Sequence, residues 1–192
     1  TLIELLIVIG ILAVLATVTV LVLNPAELFR QARDSQRLSD LGSLKGAITL
    51  YLTTVSSPSV SASGFDCTDT FSADKASVKP ASNPFLGGIA AGYDQSATTT
   101  TAVDGTGWVP VNFSEMTGGS PLSVLPRDPN RTDDTLYYAY ACSAATTTSL
   151  TFELNAKMES TRYSSGNDDV TGTDGGNQSD RYETGTYPGL LL

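Results

Sequence analysis

The chain has 192 residues, with 11 basic and 20 acidic side chains and a net charge of −9. It contains no histidine, which excludes imidazole acid–base catalysis and histidine metal ligation. With no GxxxxGK[ST] loop for nucleotide phosphates and no recognisable nucleophile–base pair either, no enzymatic activity is expected.

Residues 1–23 are almost wholly apolar, and Leu5 to Leu23 are 19 consecutive uncharged residues. As a helix they would span about 28 Å, the thickness of a bilayer core. A removable secretory signal opens with basic residues and closes on a small-residue cleavage site. Neither pattern is present, so the run is expected to belong to the mature protein. Glu4 is its one charge. A charge held at mid-membrane costs about 2.5–3.5 kcal/mol on insertion scales, so a tolerated one reaches the interface or has a partner. The nearest cation along the chain is the terminal amine carried by Thr1, which on a staggered second copy would pair with Glu4.

The segment 1–24 is followed by a second helical unit, residues 25–55. Asn24 reads as a cap, Pro25 suits the first helical position, and Glu27 completes a capping-box pattern. Pro25 also interrupts any helix arriving from residues 1–24. With Gly10 and the β-branched run Thr17, Val18, Thr19, Val20 and Val22, it predicts local unwinding within Val14–Asn24 once the chain is assembled with others. From Leu28 to Val55 the apolar residues Leu28, Ala32, Leu38, Leu41, Leu44, Ile48, Tyr51, Leu52 and Val55 recur at three and four. This spacing predicts an amphipathic helix whose later half packs on a head, with Arg30, Arg33, Asp34, Arg37 and Asp40 mostly on the opposite side.

Residues 56–192 read as a globular head. It carries the whole acid excess, because residues 1–55 hold four acids and four bases. No direct nucleic-acid contact is expected on such a surface. Two alternating stretches, "TLYYAYACS" and "SLTFELNAKM", predict an antiparallel hairpin with Tyr138, Tyr140 and Cys142 on one face. "WVPVNF" (108–113) predicts a short edge strand limited by Pro110. The tail from Ser160 is polar, Gly- and Asp-rich, and reads as loop. The fold class is therefore α+β: one long N-terminal helix on a small head with a short antiparallel sheet.

Cys67 and Cys142 are not a CxxC pair. An even, widely spaced pair in an extracytoplasmic chain reads as a structural disulfide, the alternative being two buried thiols. In the tail, Asp168, Asp169, Asp174, Asn177 and Asp180 supply hard oxygens beside permissive glycines, the donor set a calcium ion would take. No other cofactor is expected.

"TLIELLIVIGILAVLA" resembles the N-terminal segment of type IV pilins and of the pseudopilins of type II secretion. "SVLPRDPNRTDDTLYYAYAC" is similar to the Leu-Pro-x-Asp-Pro stretch that precedes a tyrosine-rich strand in the same proteins. The resemblance is closest over residues 1–55 and implies a structural subunit. A prepilin peptidase would remove a short basic leader and leave an N-methylated aromatic residue just before the Thr-Leu-Ile-Glu run. Glu4 would take the role of the family's glutamate, in methylation and in pairing with a neighbour's terminal amine. A membrane platform and an ATP-driven motor would move subunits from the inner membrane into a homopolymer bundled through the N-terminal helices.

The function it implies is that of the major subunit of an extracellular pilus for adhesion, motility or DNA uptake. The alternative within the family is a pseudopilin of a short periplasmic filament, whose major members carry a calcium-stabilised C-terminal loop. Outside it, the alternative is a membrane-anchored surface binding domain, which would tolerate neutralisation of Glu4.

Overall fold

The computed structural model of the chain describes residues 1–61, 65, 67, 70–75, 85, 94–95, 100–143 and 150–187. Helix α1 runs Leu2–Leu23, and after one residue α2 runs Pro25–Thr54. At 1.5 Å per residue α1 is about 33 Å long, enough to cross a bilayer core of about 30 Å. By length and composition the N-terminal helix is a candidate membrane span.

The interruption is confined to Asn24, whose φ of 38° and ψ of 76° are left-handed. Asparagine tolerates that region better than other non-glycine residues, and Pro25 then restarts the helix with the ring already at a helical φ. The expected Asn24 side-chain cap is not made. Its carbonyl instead accepts from Glu27 N at 3.0 Å and Leu28 N at 3.3 Å. A left-handed Asn24 takes the side chain away from the first turn, and Glu27 turns to the head, accepting from Thr161 N at 2.8 Å. The β-branched stretch before the break stays helical. Thr17 and Thr19 satisfy their hydroxyls on the carbonyls of Val14 and Ala16 at 2.8 and 2.9 Å, a local solution suited to apolar surroundings.

The head is a five-stranded sheet in the order β2-β1-β3-β4-β5. Its strands are β1 (Thr70–Ala73), β2 (Asp94–Gln95), β3 (Tyr138–Cys142), β4 (Phe152–Lys157) and β5 (Arg181–Gly185). β1 and β2 are parallel, and β1, β3, β4 and β5 are antiparallel neighbours. The fold is α+β, as the patterning predicts, and the β3–β4 hairpin pairs Tyr138 with Ala156, Tyr140 with Leu154 and Cys142 with Phe152. That register places Tyr138, Tyr140, Cys142, Phe152, Leu154 and Ala156 on the face that meets α2 through Leu41, Leu44, Ile48 and Tyr51. Phe71, Ala73, Tyr137, Ala139 and Ala141 form a second apolar cluster with Phe85.

The expected edge strand fails. Residues 108–113 form no strand. Trp108, Val109, Val111 and Phe113 are all buried, Trp108 N donates to Thr100 O and Phe113 N to Val103 O, Asn112 makes an isolated bridge with Asp104, and a 3-10 turn follows at Phe113–Glu115. Pro110 lacks the donor a ladder needs, so the segment buries its side chains as a loop. The tail, conversely, contains a short helix α3 (Thr161–Ser164) and the edge strand β5. β5 is legible only through its partner: Tyr182 and Thr184 lie opposite Ala156 and Leu154, in a strand whose own residues are mostly polar.

Candidate functional site

Among the described residues α1 is exposed along its whole length: Leu2 is 89% exposed, and the other described large apolar side chains of the helix are at least half exposed. A helix apolar on every side is built for burial in lipid or among other helices. Glu4 sits in its first turn, and the Thr1 ammonium donates to Glu4 Oε2 at 2.6 Å, both side chains 74% exposed. Thr1 and Glu4, the residues the sequence reading singles out, are thus paired within one chain, and the pair faces outward. Gly10 lies on α1 with no atom within 4 Å of where a Cβ would stand. Asn24 and Pro25 form the break already described.

Beyond Pro25 the helix stays exposed for two turns, with Leu28 at 51% and Phe29 at 67%. Contact with the head begins with the Glu27 carboxylate on Thr161 N, and the completely buried row begins at Asp34. The buried row is Asp34, Arg37, Leu41, Leu44, Ala47, Ile48 and Tyr51, so the first two positions on the inward face are charges. The amphipathic reading put both outside; the correction is that Asp34 and Arg37 are buried completely.

Arg37 donates from Nε and Nη2 to the two oxygens of Asp128 at 2.7 and 2.9 Å. Its Nη1 reaches Asp34 at 2.7 Å, and Nη2 lies 2.6 Å from Glu159. Arg33 grips Glu159 with two bonds of 2.8 and 2.6 Å. Asp34 accepts from the backbone N–H groups of Glu159 and Ser160, the latter at 2.7 Å. Burial works against the Arg37 charge, but the bonds to Asp128, Glu159 and Asp34 outweigh it and raise its pKa. Burial likewise opposes the Glu159 charge, and the two guanidinium groups prevail, lowering its pKa to about 2.

The loop that carries Asp128 is fixed in turn. Asp74 accepts from Asp128 N and Tyr138 N at 2.7 and 3.0 Å, and burial raises its pKa. The Lys75 ammonium donates to the carbonyls of Asn130 and Asp133 at 2.6 and 2.7 Å, and to that of Leu136. Sequence reading missed this cluster. The i, i+3 spacing of Asp34 and Arg37 on the line of Leu41 and Leu44 was its only local sign, because the partners lie 91 to 126 residues away.

Cys67 and Cys142 are joined in a disulfide, tying the segment after α2 to β3. Of the five residues read as calcium ligands, Asp168 pairs with Arg162 Nε at 2.5 Å, while Asp169 accepts from Thr171 and Gly172 in its own turn. Asp174 accepts from Gly176 N and Glu183 N at 2.9 and 2.6 Å, and Asp180 faces Lys157 at 3.9 Å. Asn177 has its Oδ1 buried without a donor among the described residues. Among the described residues no three histidine, cysteine or acidic side chains are gathered as a metal needs.

The loop does hold a buried carboxyl that sequence reading passed over. Glu183 on β5 is buried and accepts from Gln178 N at 2.8 Å through Oε2. Burial raises its pKa, a bond with the Glu153 carboxyl on β4 opposing that rise. No family model, curated protein or solved structure matches the chain.

Proposed function

We propose that this chain is a structural subunit, the major pilin of a type IV pilus, which is stored in a membrane through α1 and polymerises through the same helix. The observation that carries the reading is the exposure of α1: a helix of 22 residues, apolar all round and charged only at Glu4, projects from a head that packs without it. Such a surface needs a bilayer before assembly and other copies after it. Glu4 supports polymerisation over simple anchoring, because a carboxylate inside a helix bundle needs a cation from a neighbour. The resemblance of residues 1–16 to pilins points the same way. The disulfide-bonded head, with its Ser- and Thr-rich loops, favours an external fibre over a periplasmic pseudopilus.

Electron microscopy of material sheared from producing cells, with mass spectrometry of the subunit, tests the reading. Long fibres built of this chain are expected. Its retention in the envelope, absent from any surface fibre, would transfer the proposal to the pseudopilin.

A further inference from the structure

The first turns of α2 carry apolar side chains that the head does not use. Leu28 is 51% and Phe29 67% exposed. Glu27 fixes this turn relative to the head, because its carboxylate accepts from Thr161 N at 2.8 Å. At about 100° per residue, Leu28, Phe29 and Arg30 follow Glu27 round the helix at about 100°, 200° and 300°. The three therefore ring the sides of the stem that the head leaves open, with Phe29 pointing away from it.

A ring at one level differs from a docking stripe. A partner helix is met by apolar residues recurring at three and four along one side, over several turns. Here the outward positions that follow, Ala32, Ser35, Gln36, Ser39 and Gly42, are exposed and small or polar. The next exposed large apolar side chain is Leu50, at 45%. The ring fits surroundings that are alike on every open side and turn from apolar to wet within a short height. The surface of a bilayer is such a place.

The height agrees. α1, at about 33 Å, fills a hydrocarbon core of about 30 Å, and the headgroup layer adds about 5–8 Å on each side. Phe29 lies about 9 Å along the stem beyond Leu23, and helical side chains lean toward the N-terminus, which carries its ring back into that layer. The chemistry agrees as well. An aromatic ring suits the boundary between acyl chains and headgroups. Arg30, 51% exposed and 3.6 Å from Glu27, places a guanidinium where lipid phosphates stand. The Glu27 carboxylate, which would repel phosphates, is turned to Thr161 and only 18% exposed.

We propose that Leu28, Phe29 and Arg30 form a collar that binds the phospholipid headgroup layer of the membrane holding α1, and that through the Glu27–Thr161 contact it sets the height of the head above the bilayer. The proposal rests on the membrane storage argued above and adds where the head meets that membrane.

Depth-dependent fluorescence quenching of the full-length protein tests it, in vesicles of equal parts phosphatidylethanolamine and phosphatidylglycerol. The vesicles carry a nitroxide either on the headgroup or at the middle of the acyl chain. Trp108, the chain's one tryptophan, is buried in the head and gives a background that the parent protein subtracts. Phe29→Trp keeps an aromatic ring in the collar, and Ser39→Trp reports from about 15 Å further along the same stem. The headgroup nitroxide is expected to quench Phe29→Trp at least about twofold more than the acyl-chain nitroxide does, and to leave Ser39→Trp at the parental level. Quenching of Phe29→Trp no stronger than that of Ser39→Trp would overturn the proposal. If its emission were then shielded from acrylamide only in fibres, the collar would belong to a second copy of the chain. Stronger quenching by the acyl-chain nitroxide would also overturn it, placing Phe29 inside the span. Parent protein that fails to float with the vesicles would bring down the storage reading itself, which is a distinguishable result.

Discussion

α1 and α2 form one stem with opposite relations to the rest of the chain. α1 has an apolar surface and no intramolecular use for it, whereas α2 has two fully buried charges and a use for each. Its inward face begins with Asp34 and Arg37 and continues with Leu41, Leu44 and Ile48. The apolar part joins the core, and the charged part clamps two loops. The lesson is that exposure, not polarity, separates the regions: the apolar helix is written for surroundings outside the chain, the charged one for contacts within it.

The comparison breaks most sharply at Glu4. Glu4→Ala should abolish fibres or reduce them to disordered traces, yet leave membrane insertion and the urea midpoint of the head unchanged. Fibres at parental yield would show that α1 is only an anchor. The disulfide provides the reverse case. Replacing Cys67 and Cys142 by serine should cost the head about 4.5 kcal/mol by the chain-entropy model. Urea unfolding of the oxidised parent and the double variant measures it, and α1 should still enter membranes. A difference near zero would mean that the bridge contributes little beyond the sheet.

The ion cluster tests the same contrast inside the stem. Arg37→Met leaves the buried Asp34 and Asp128 and the partly buried Glu159 around an apolar side chain, and breaking a buried pair in this way costs about 3–5 kcal/mol. A pH series adds a second reading. Glu159 has its folded pKa depressed to about 2, so its contribution is present above the unfolded value of about 4.3 and is lost as the pH falls toward 2. The parent should therefore lose stability through that window, and Arg37→Met should lose less there. Equal slopes would place the acid sensitivity elsewhere.

How much was legible in the sequence follows from where each partner lies. The length of α1 and the β3–β4 hairpin are local hydropathy patterns, and the break at Asn24–Pro25 is read from a capping residue followed by a proline. The ion cluster is long-range: Asp34 and Arg37 look like ordinary exposed helix charges until Asp128 and Glu159 are brought to them. β5 was hidden for a related reason. Its alternation of Arg181, Glu183 and Gly185 with Tyr182 and Thr184 has little apolar contrast, and the strand is defined by β4. In the acidic tail, composition shows the aspartates but not their partners, the turns they cap and the ion pairs with Arg162 and Lys157.

Glu183 gives the smallest effect and the finest test of the contrast. Its carboxyl is buried in the head, where no outside partner explains its retention. Its folded pKa is raised by burial, with the Glu153 bond opposing. A raised pKa means that its stabilising contribution is complete below the unfolded value of about 4.3 and is lost as the pH climbs through the folded value. At pH 7.5 the ionised side chain then works against the fold. Glutamine has nearly the same shape and keeps an oxygen to accept from Gln178 N, but it carries no charge. Glu183→Gln should therefore raise the melting temperature of the head by a few degrees at pH 7.5 and leave it unchanged at pH 4. A lower melting temperature at pH 7.5 would mean that the ionised carboxylate is stabilised in the folded head, and that the buried interior of this region, like α1, depends on something the isolated chain does not supply.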